Sequence, residues 1–377
     1  MFLVRIFHTA DVHLGLKFVR ASLEAVRQKL VEARHEVLSR MVQIANQEKS
    51  DLLVIAGDLF DNLSVSPTLV RKAAEHLRRF EGLVVILPGN HDYVQAKSED
   101  TLWASFAELL GDRHLILREA GTFDLRQYDL PVVLYACPCR TRHSKSNALG
   151  WVREASTQDP SPHIRVGIAH GSLEGLSPDF NSDYFPMTHQ ELQQAGMDMW
   201  LLGHTHVRYP DRESGKGDRI FYSSVPEPDG FDCRHGGSAW IIDLEPNGTL
   251  EYRSVATGAY RFHELQFDVH GEQDFKRVRD HLSKLSPTTD LVKLELTGRL
   301  ESGLYAQLGA RIQEFETMTL HLEADVSGML QLIQQADIDD QFTEGSIPYR
   351  LLSELAFSKE DQLALQMAFQ LIEEARL

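Results

Sequence analysis

The chain has 377 residues, 42% of them hydrophobic and 25% charged, with a formal net charge of −17. That composition belongs to a chain that buries a real core, and the length fits one large domain with a smaller addition. The absence of any uncharged apolar run near eighteen residues argues against a membrane span, and three cysteines are too few for a disulfide framework. The start, MFLVRIFHTADVHLG, lacks the basic region and long apolar core of a secretion signal, so a reducing, cytoplasmic location is the expectation. The acidity also argues against strong unaided binding to duplex DNA, whose phosphates need local Lys and Arg.

Short apolar runs predict strands over residues 4–8, 52–56, 83–87, 132–136, 165–169 and 199–202. Between the first two, Val26, Leu30, Val37, Leu38, Met41, Ile44 and Ala45 recur at helical spacing, which predicts a helix over about 22–48. A second helix is expected over 67–80, with Pro67 suited to its first turn. Two further strands, 219–223 and 238–244, flank the turn-rich stretch PEPDGFDCRHGG. From residue 262 the texture becomes strand, helix (274–285), strand (291–296), helix (304–316), strand (318–324). The final fifty residues are acidic and helical. There Ser358-Lys359-Glu360-Asp361 reads as a capping box ahead of Leu363, Met367, Leu371 and Ile372. The alternation of strands and helices specifies an α/β fold, followed by a small α+β unit and a helical tail.

Five polar motifs each follow a strand-like run directly. They are Asp11-Val-His13, Gly57-Asp58, Gly89-Asn90-His91-Asp92, the single His170, and Gly203-His204-Thr-His206. Groups just past the carboxyl ends of strands in an open α/β sheet face a common crevice, so separated stretches converge. Carboxylate, imidazole and one amide form a donor set for manganese, iron or zinc rather than for a thiol-bound ion. A lone Asp-x-His or Gly-Asp is most often an ordinary turn. All five in this order leave little room for that reading and point to a dinuclear metal site. The Cys137-Pro138-Cys139 triplet has no second pair nearby and does not read as a metal clip. His8 and Thr9 read as supporting or packing residues.

This order of motifs resembles the signature of calcineurin-like metallophosphoesterases. The resemblance implies an α/β/β/α sandwich of two layered sheets. It implies Asp11, His13, Asp58 and His206 on one metal ion, and Asp58, Asn90, His170 and His204 on the other, with Asp58 bridging. Two divalent ions roughly 3.5–4 Å apart activate water and stabilise charge on the attacking and leaving oxygens. Manganese is the expected ion, with iron, zinc and magnesium as alternatives. His91 is then the non-ligand, touching the scissile phosphate and protonating the leaving oxygen, and Asp92 orients it through a hydrogen bond.

The extended motifs HTADVHLG and GDLFDN, and the later YSSVPEPDGF, resemble bacterial SbcD-like and YhaO-like DNA-repair exonucleases. Protein phosphatases of the superfamily show Asp-Arg-Gly where this chain has Asp61-Asn62. In some archaeal relatives a further catalytic His stands at the position of Asp61. The family resemblance implies a nuclease domain over 1–260, a capping domain over 261–328 and a tail over 329–377 that docks on an SMC-like ATPase resembling SbcC. DNA is the implied substrate, no membrane is involved, and a homodimer is compatible. The alternative is a phosphodiesterase acting on cyclic nucleotides or other small esters through the same two-metal centre.

Overall fold

The runs LLVIA and LVVIL are apolar at every position, the pattern of parallel strands buried on both faces. The computed structural model describes residues 4–18, 24–96, 101–158, 163–180, 183–233, 235–245, 248–357 and 362–375. The expected helix start at Ser22 and the capping segment 358–361 lie outside them. Two units divide at Arg261/Phe262.

The first unit opens with β1 (Val4–Thr9), α1 (Glu24–Gln47), β2 (Leu52–Ala56), α2 (Pro67–Leu77), β3 (Leu83–Leu87), α3 (Thr101–Leu110) and β4 (His114–Ile116). It continues through β5 (Gly121–Asp124), β6 (Val132–Cys137), α4 (Val152–Gln158), β7 (Ile164–His170), α5 (His189–Gln194) and β8 (Met199–Gly203). It closes with β9 (Arg208–Tyr209), β10 (Ser214–Lys216), β11 (Ile220–Ser223), β12 (Ser238–Leu244) and β13 (Leu250–Ala256). One sheet has the order β10-β13-β12-β1-β2-β3-β4 and the other β5-β6-β7-β8-β11-β9. The pairs β1–β2, β2–β3, β6–β7 and β7–β8 are parallel.

Alternate residues of each strand serve two different layers. On β2, Leu53 and Ile55 face Val37, Leu38 and Met41 of α1 and Trp103 and Phe106 of α3. Leu52 and Val54 face the opposite way, into a core shared with Leu134, Val166, Ile168 and Leu201 of the second sheet. Tyr135, Trp200 and Leu202 pack on Val152 and Leu192 beyond that. The result is the α/β/β/α sandwich expected from the sequence. Each such aliphatic side chain contributes roughly 1.5–3 kcal/mol through burial, so the two sheets are held by apolar surface along most of their length. Pro67 occupies the first turn of α2, and the Ser66 hydroxyl caps it by accepting from the Leu69 amide.

The second unit runs β14 (Arg261–Asp268), α6 (Glu272–Leu282), β15 (Asp290–Glu301), α7 (Ser302–Ala306), α8 (Leu308–Glu316) and β16 (His321–Leu332). Three helices follow: α9 (Gln335–Gln341), α10 (Ile347–Phe357) and α11 (Gln362–Glu374). Phe275, Val278, Leu282, Val292, Leu294 and Phe315 form its principal core. The helix expected over 304–316 is broken in two, and residue 328 falls inside β16 rather than between elements. Charged residues such as Glu323 and Asp325 alternate on that strand's outer side and hide its length from the apolar pattern.

Candidate dinuclear metal centre

All five motifs lie at the carboxyl ends of parallel strands, but on two sheets rather than one. Asp11, His13, Asp58 and the 89–92 loop follow β1, β2 and β3, while His170 ends β7 and His204 and His206 follow β8. The facing sheets bring these ends together because the core between them is apolar and buried. Backbone hydrogen bonds fix the register of the loops: Asp11 N–H donates to the Gly57 carbonyl at 3.1 Å and His13 N–H to that of Asp58 at 2.9 Å.

The backbone here takes conformations that side-chain-bearing residues seldom adopt. Asp11, His13, Asp58 and His204 have φ of 54°, 48°, 53° and 95°, and strain of this kind gathers at functional sites. Gly57, at φ 99°, is required twice over, because a Cβ there would lie 1.9 Å from Nδ1 of His170. At Gly203 a Cβ would meet the Ala56 carbonyl oxygen at 2.1 Å, where the end of β8 comes against the end of β2.

The two halves of the site are stitched by carboxylates. The His204 amide donates to both oxygens of Asp11 at 3.0 Å, and the His91 amide to Asp58 Oδ1 at 2.8 Å. Asp58 Oδ2 lies 3.3 Å from His170 Nε2 and 3.8 Å from His13 Nε2. Ligand-competent atoms of Asp11, His13 and His206 cluster within 4.8 Å of one another, as do those of Asp11, Asp58 and His170.

The proton positions make the case for a cation. His170 Nδ1 donates to the Ala56 carbonyl at 2.9 Å, so a neutral ring turns a bare Nε2 towards Asn90 Oδ1, 2.9 Å away. His204 Nε2 donates to Asp179 Oδ2 at 2.8 Å, leaving a bare Nδ1 at 3.2 Å from the same Asn90 oxygen. Lone pairs thus converge from an amide, two imidazoles and Asp58 in a buried space, with Asn90 Nδ2 and His13 Nδ1 lacking partners. Once His170 gives up the proton that its carboxylate neighbours favour, such a set repels itself unless a cation sits among it. The residues therefore fit a pair of divalent ions.

The electrostatics agree. Burial pushes the Asp11 carboxyl up. Burial acts on Asp58 the same way, but His170 and His13 overcome it and hold that carboxyl below its usual range. His170 is lowered by burial yet raised on balance to about 9 by Asp58 and Asp11. Those two carboxylates attract a proton that must leave when a metal binds. Burial drives His13 well below the usual imidazole value and His8 to about 3, so both rings are neutral.

Asp92 departs from its expected role. Its carboxylate accepts from the amides of Phe60 at 2.9 Å and Gly89 at 2.7 Å, closing the turn that carries Asn90 and His91. Burial and the charge of Asp58 push that carboxyl up to about 7. The His91 ring is oriented instead by the Asp61 carbonyl, which accepts from Nδ1 at 2.9 Å. Asp92 caps a turn three residues long and holds the backbone, while the ring of His91 turns to the crevice.

Two carboxylates escape the sequence reading. Asp179, between β7 and α5, anchors His204, and Asp229 Oδ2 lies 3.5 Å from His206 Nδ1. Neither sits in a strand-end motif; Asp229 lies within the YSSVPEPDGF stretch, which carries the family resemblance but does not mark that carboxylate as a neighbour of His206. The crevice has a volume of about 380 Å³ and is lined by His13, Asp58, Asn90, His91, Tyr184 and His206 among others. Among the described residues, no helix is long and apolar enough to cross a membrane.

Comparison with known proteins places this geometry. Residues 4–208 match the family model described as calcineurin-like phosphoesterase. The chain is 26% identical over 339 residues to the uncharacterized metallophosphoesterase YhaO of Bacillus subtilis, covering 84% of this chain and 78% of that protein. It is 26% identical over 346 residues to the DNA double-strand break repair protein Mre11 of Methanopyrus kandleri, covering 85% and 69%. A shorter match, 33% over 99 residues, joins it to the SbcD component of the nuclease SbcCD from Escherichia coli and covers 26% and 23%. The chain therefore belongs to the calcineurin-like phosphoesterases, hydrolases of phosphoester bonds built around a dinuclear metal site.

Proposed function

We propose that this chain is a cytoplasmic, manganese-dependent DNA nuclease. The observation that carries the substrate assignment is the span of similarity to the archaeal break-repair protein. At 85% of the chain, it must extend past the first unit's end at Arg261 into the second. A phosphodiesterase for small esters needs no such added unit.

In this reading Asp11, His13, Asp58 and His206 hold one ion, and Asp58, Asn90, His170 and His204 the other. When bound, the two ions acidify a water and offset the charge of the phosphate. Around them the chain's own groups do distinct work. Asp179 and Asp229 fix the rings of His204 and His206, and the Ala56 carbonyl fixes His170. His91, with Nδ1 tied to the Asp61 carbonyl, presents Nε2 to the crevice and gives a proton to the leaving oxygen. Tyr184, whose ring centroid is 4.9 Å from that of His204, walls one side. The second unit, with its sheet β14–β16, is the capping domain of this reading. Its last helices dock on an SMC-like ATPase, a role supported by the exposed apolar residues Ile347, Phe357, Met367 and Leu371.

Two outcomes test this reading. End-labelled DNA is expected to be degraded with manganese and not with chelator. If the chain turns over a small phosphodiester but leaves single-stranded and duplex DNA intact, the small-ester reading, favoured by the net charge of −17, replaces it. Asp179→Asn keeps the shape but weakens the acceptor for His204. It is expected to lower metal affinity roughly 10- to 100-fold, the usual effect of losing an outer carboxylate on a ligating histidine. Titration calorimetry with manganese measures it, and wild-type affinity in the variant refutes the anchoring role.

A further inference from the structure

Between Asp129 and Glu154 the sequence contains no acidic residue, yet it contains Arg140, Arg142, Lys145 and Arg153. In a chain with 55 acidic and 38 basic residues, this is a local reversal of charge. Its position gives it meaning. Segment 140–145 begins beside the 89–92 loop, where Cys139 N–H donates to the Pro88 carbonyl at 3.2 Å and Val94 N–H to that of Cys139 at 2.9 Å. It ends against the Tyr184 wall. There Ser144 N–H donates to the Asp183 carbonyl at 2.7 Å, and Phe185 N–H to that of Ser144 at 3.0 Å. The Tyr184 ring lies between, 5.0 Å from His143 and 4.9 Å from His204. The segment thus links the 89–92 loop to the stretch that carries Tyr184, and Asn90, His91 and Tyr184 all line the metal crevice.

Arg140, Arg142, His143 and Lys145 are all exposed. The guanidinium of Arg140 donates to the Arg118 carbonyl at 3.4 Å, and among the described residues no carboxylate pairs with Arg140, Arg142 or Lys145. Three cations therefore lie on a segment joined to two elements of a site for phosphoesters, and none has an acidic partner among the described residues. A small ester fits within the 380 Å³ crevice and needs nothing from this segment. A nucleic-acid strand carries a phosphate at every step of roughly 3.4 Å, and its chain must leave the crevice over an edge. Six residues span at most about 20 Å, enough to meet several successive phosphates.

We propose that segment 140–145 is a backbone-phosphate subsite that holds a DNA strand beside the metal centre. The inference rests on the nuclease reading and names where the acidic chain finds its affinity for a polyanion. It predicts sequence-independent binding, since phosphate contacts carry no base information.

The test compares the full chain with the triple variant Arg140→Gln, Arg142→Gln, Lys145→Gln. Binding of fluorescein-labelled single-stranded and duplex oligonucleotides is followed in chelator over a range of salt, and turnover of DNA and of bis(4-nitrophenyl) phosphate is measured with manganese. Losing three phosphate contacts should make the slope of log affinity against log salt shallower by about 2–3. The ratio of DNA turnover to small-diester turnover should fall roughly tenfold or more at subsaturating DNA. If the wild-type chain hydrolyses the small diester but neither binds nor cleaves DNA, the nuclease reading and the subsite fall together. If it cleaves DNA and the variant keeps the same salt slope and affinity, the subsite alone falls. Parallel loss of both activities in the variant would assign the segment to holding the crevice wall and also overturn the subsite.

Discussion

Asp58→Asn is expected to reduce hydrolysis by on the order of 10³-fold or more, and to lower the number of manganese ions bound per chain below two. The side chain is fully enclosed, and its two oxygens do different jobs: Oδ1 accepts from the His91 amide while Oδ2 faces Nε2 of His170 and of His13. Asparagine retains the volume and one acceptor but removes the negative charge between two sets of donors. What remains is a group of neutral nitrogens and one carboxylate, Asp11, which cannot offset two dications. Metal content by elemental analysis and turnover of a small phosphodiester measure the effect. Circular dichroism separates it from misfolding. A variant with two ions and unimpaired turnover would remove Asp58 from the bridging position.

His91→Ala has a different signature. Metal content is expected to stay at the wild-type level, because no donor atom of the ion sites is lost and the backbone N–H to Asp58 remains. Turnover should fall roughly 10²- to 10⁴-fold on a substrate with an alkoxide leaving group. The deficit should shrink strongly on a nitrophenyl ester, whose leaving oxygen is stable without a proton. Equal deficits on both substrates would show that His91 binds the phosphate and does not act as an acid.

Much of this is legible in the sequence because two periodicities coincide with chemistry. Strands β2 and β3 begin and end where their apolar runs do, since residues buried on both faces tolerate no polar interruption. Polar residues follow those runs only where the chain turns back to solvent or to a site, and that singles out Asp11, His13, Asp58, Asn90, His170, His204 and His206. Less visible are features set by long-range packing. Spacing alone does not assign each motif to one sheet or the other, although the family resemblance carried by the motifs implies the two-sheet sandwich. The role of Asp92 depends on which way a side chain turns out of a tight loop, and spacing cannot tell that. Asp179 and Asp229 stand in irregular segments where an acid has no pattern to stand against. Helix α3 is hidden because TLWASFAELL is apolar on most of its circumference, and β13 because LEYRSVA alternates with charged residues.

The hydrogen bond from the His204 amide to Asp11 joins residues 193 positions apart. The order in which the polypeptide leaves the ribosome follows from that span. A nascent chain presents the β1, β2 and β3 loops long before β7 and β8 exist, and loop closure over such separations makes late contacts slow to form. Metal capture at the complete site must therefore wait until both sheets have docked. Ion uptake by the first unit then serves as a clock for the last step of its folding, and dilution from denaturant into manganese should show uptake lagging behind the appearance of helix signal.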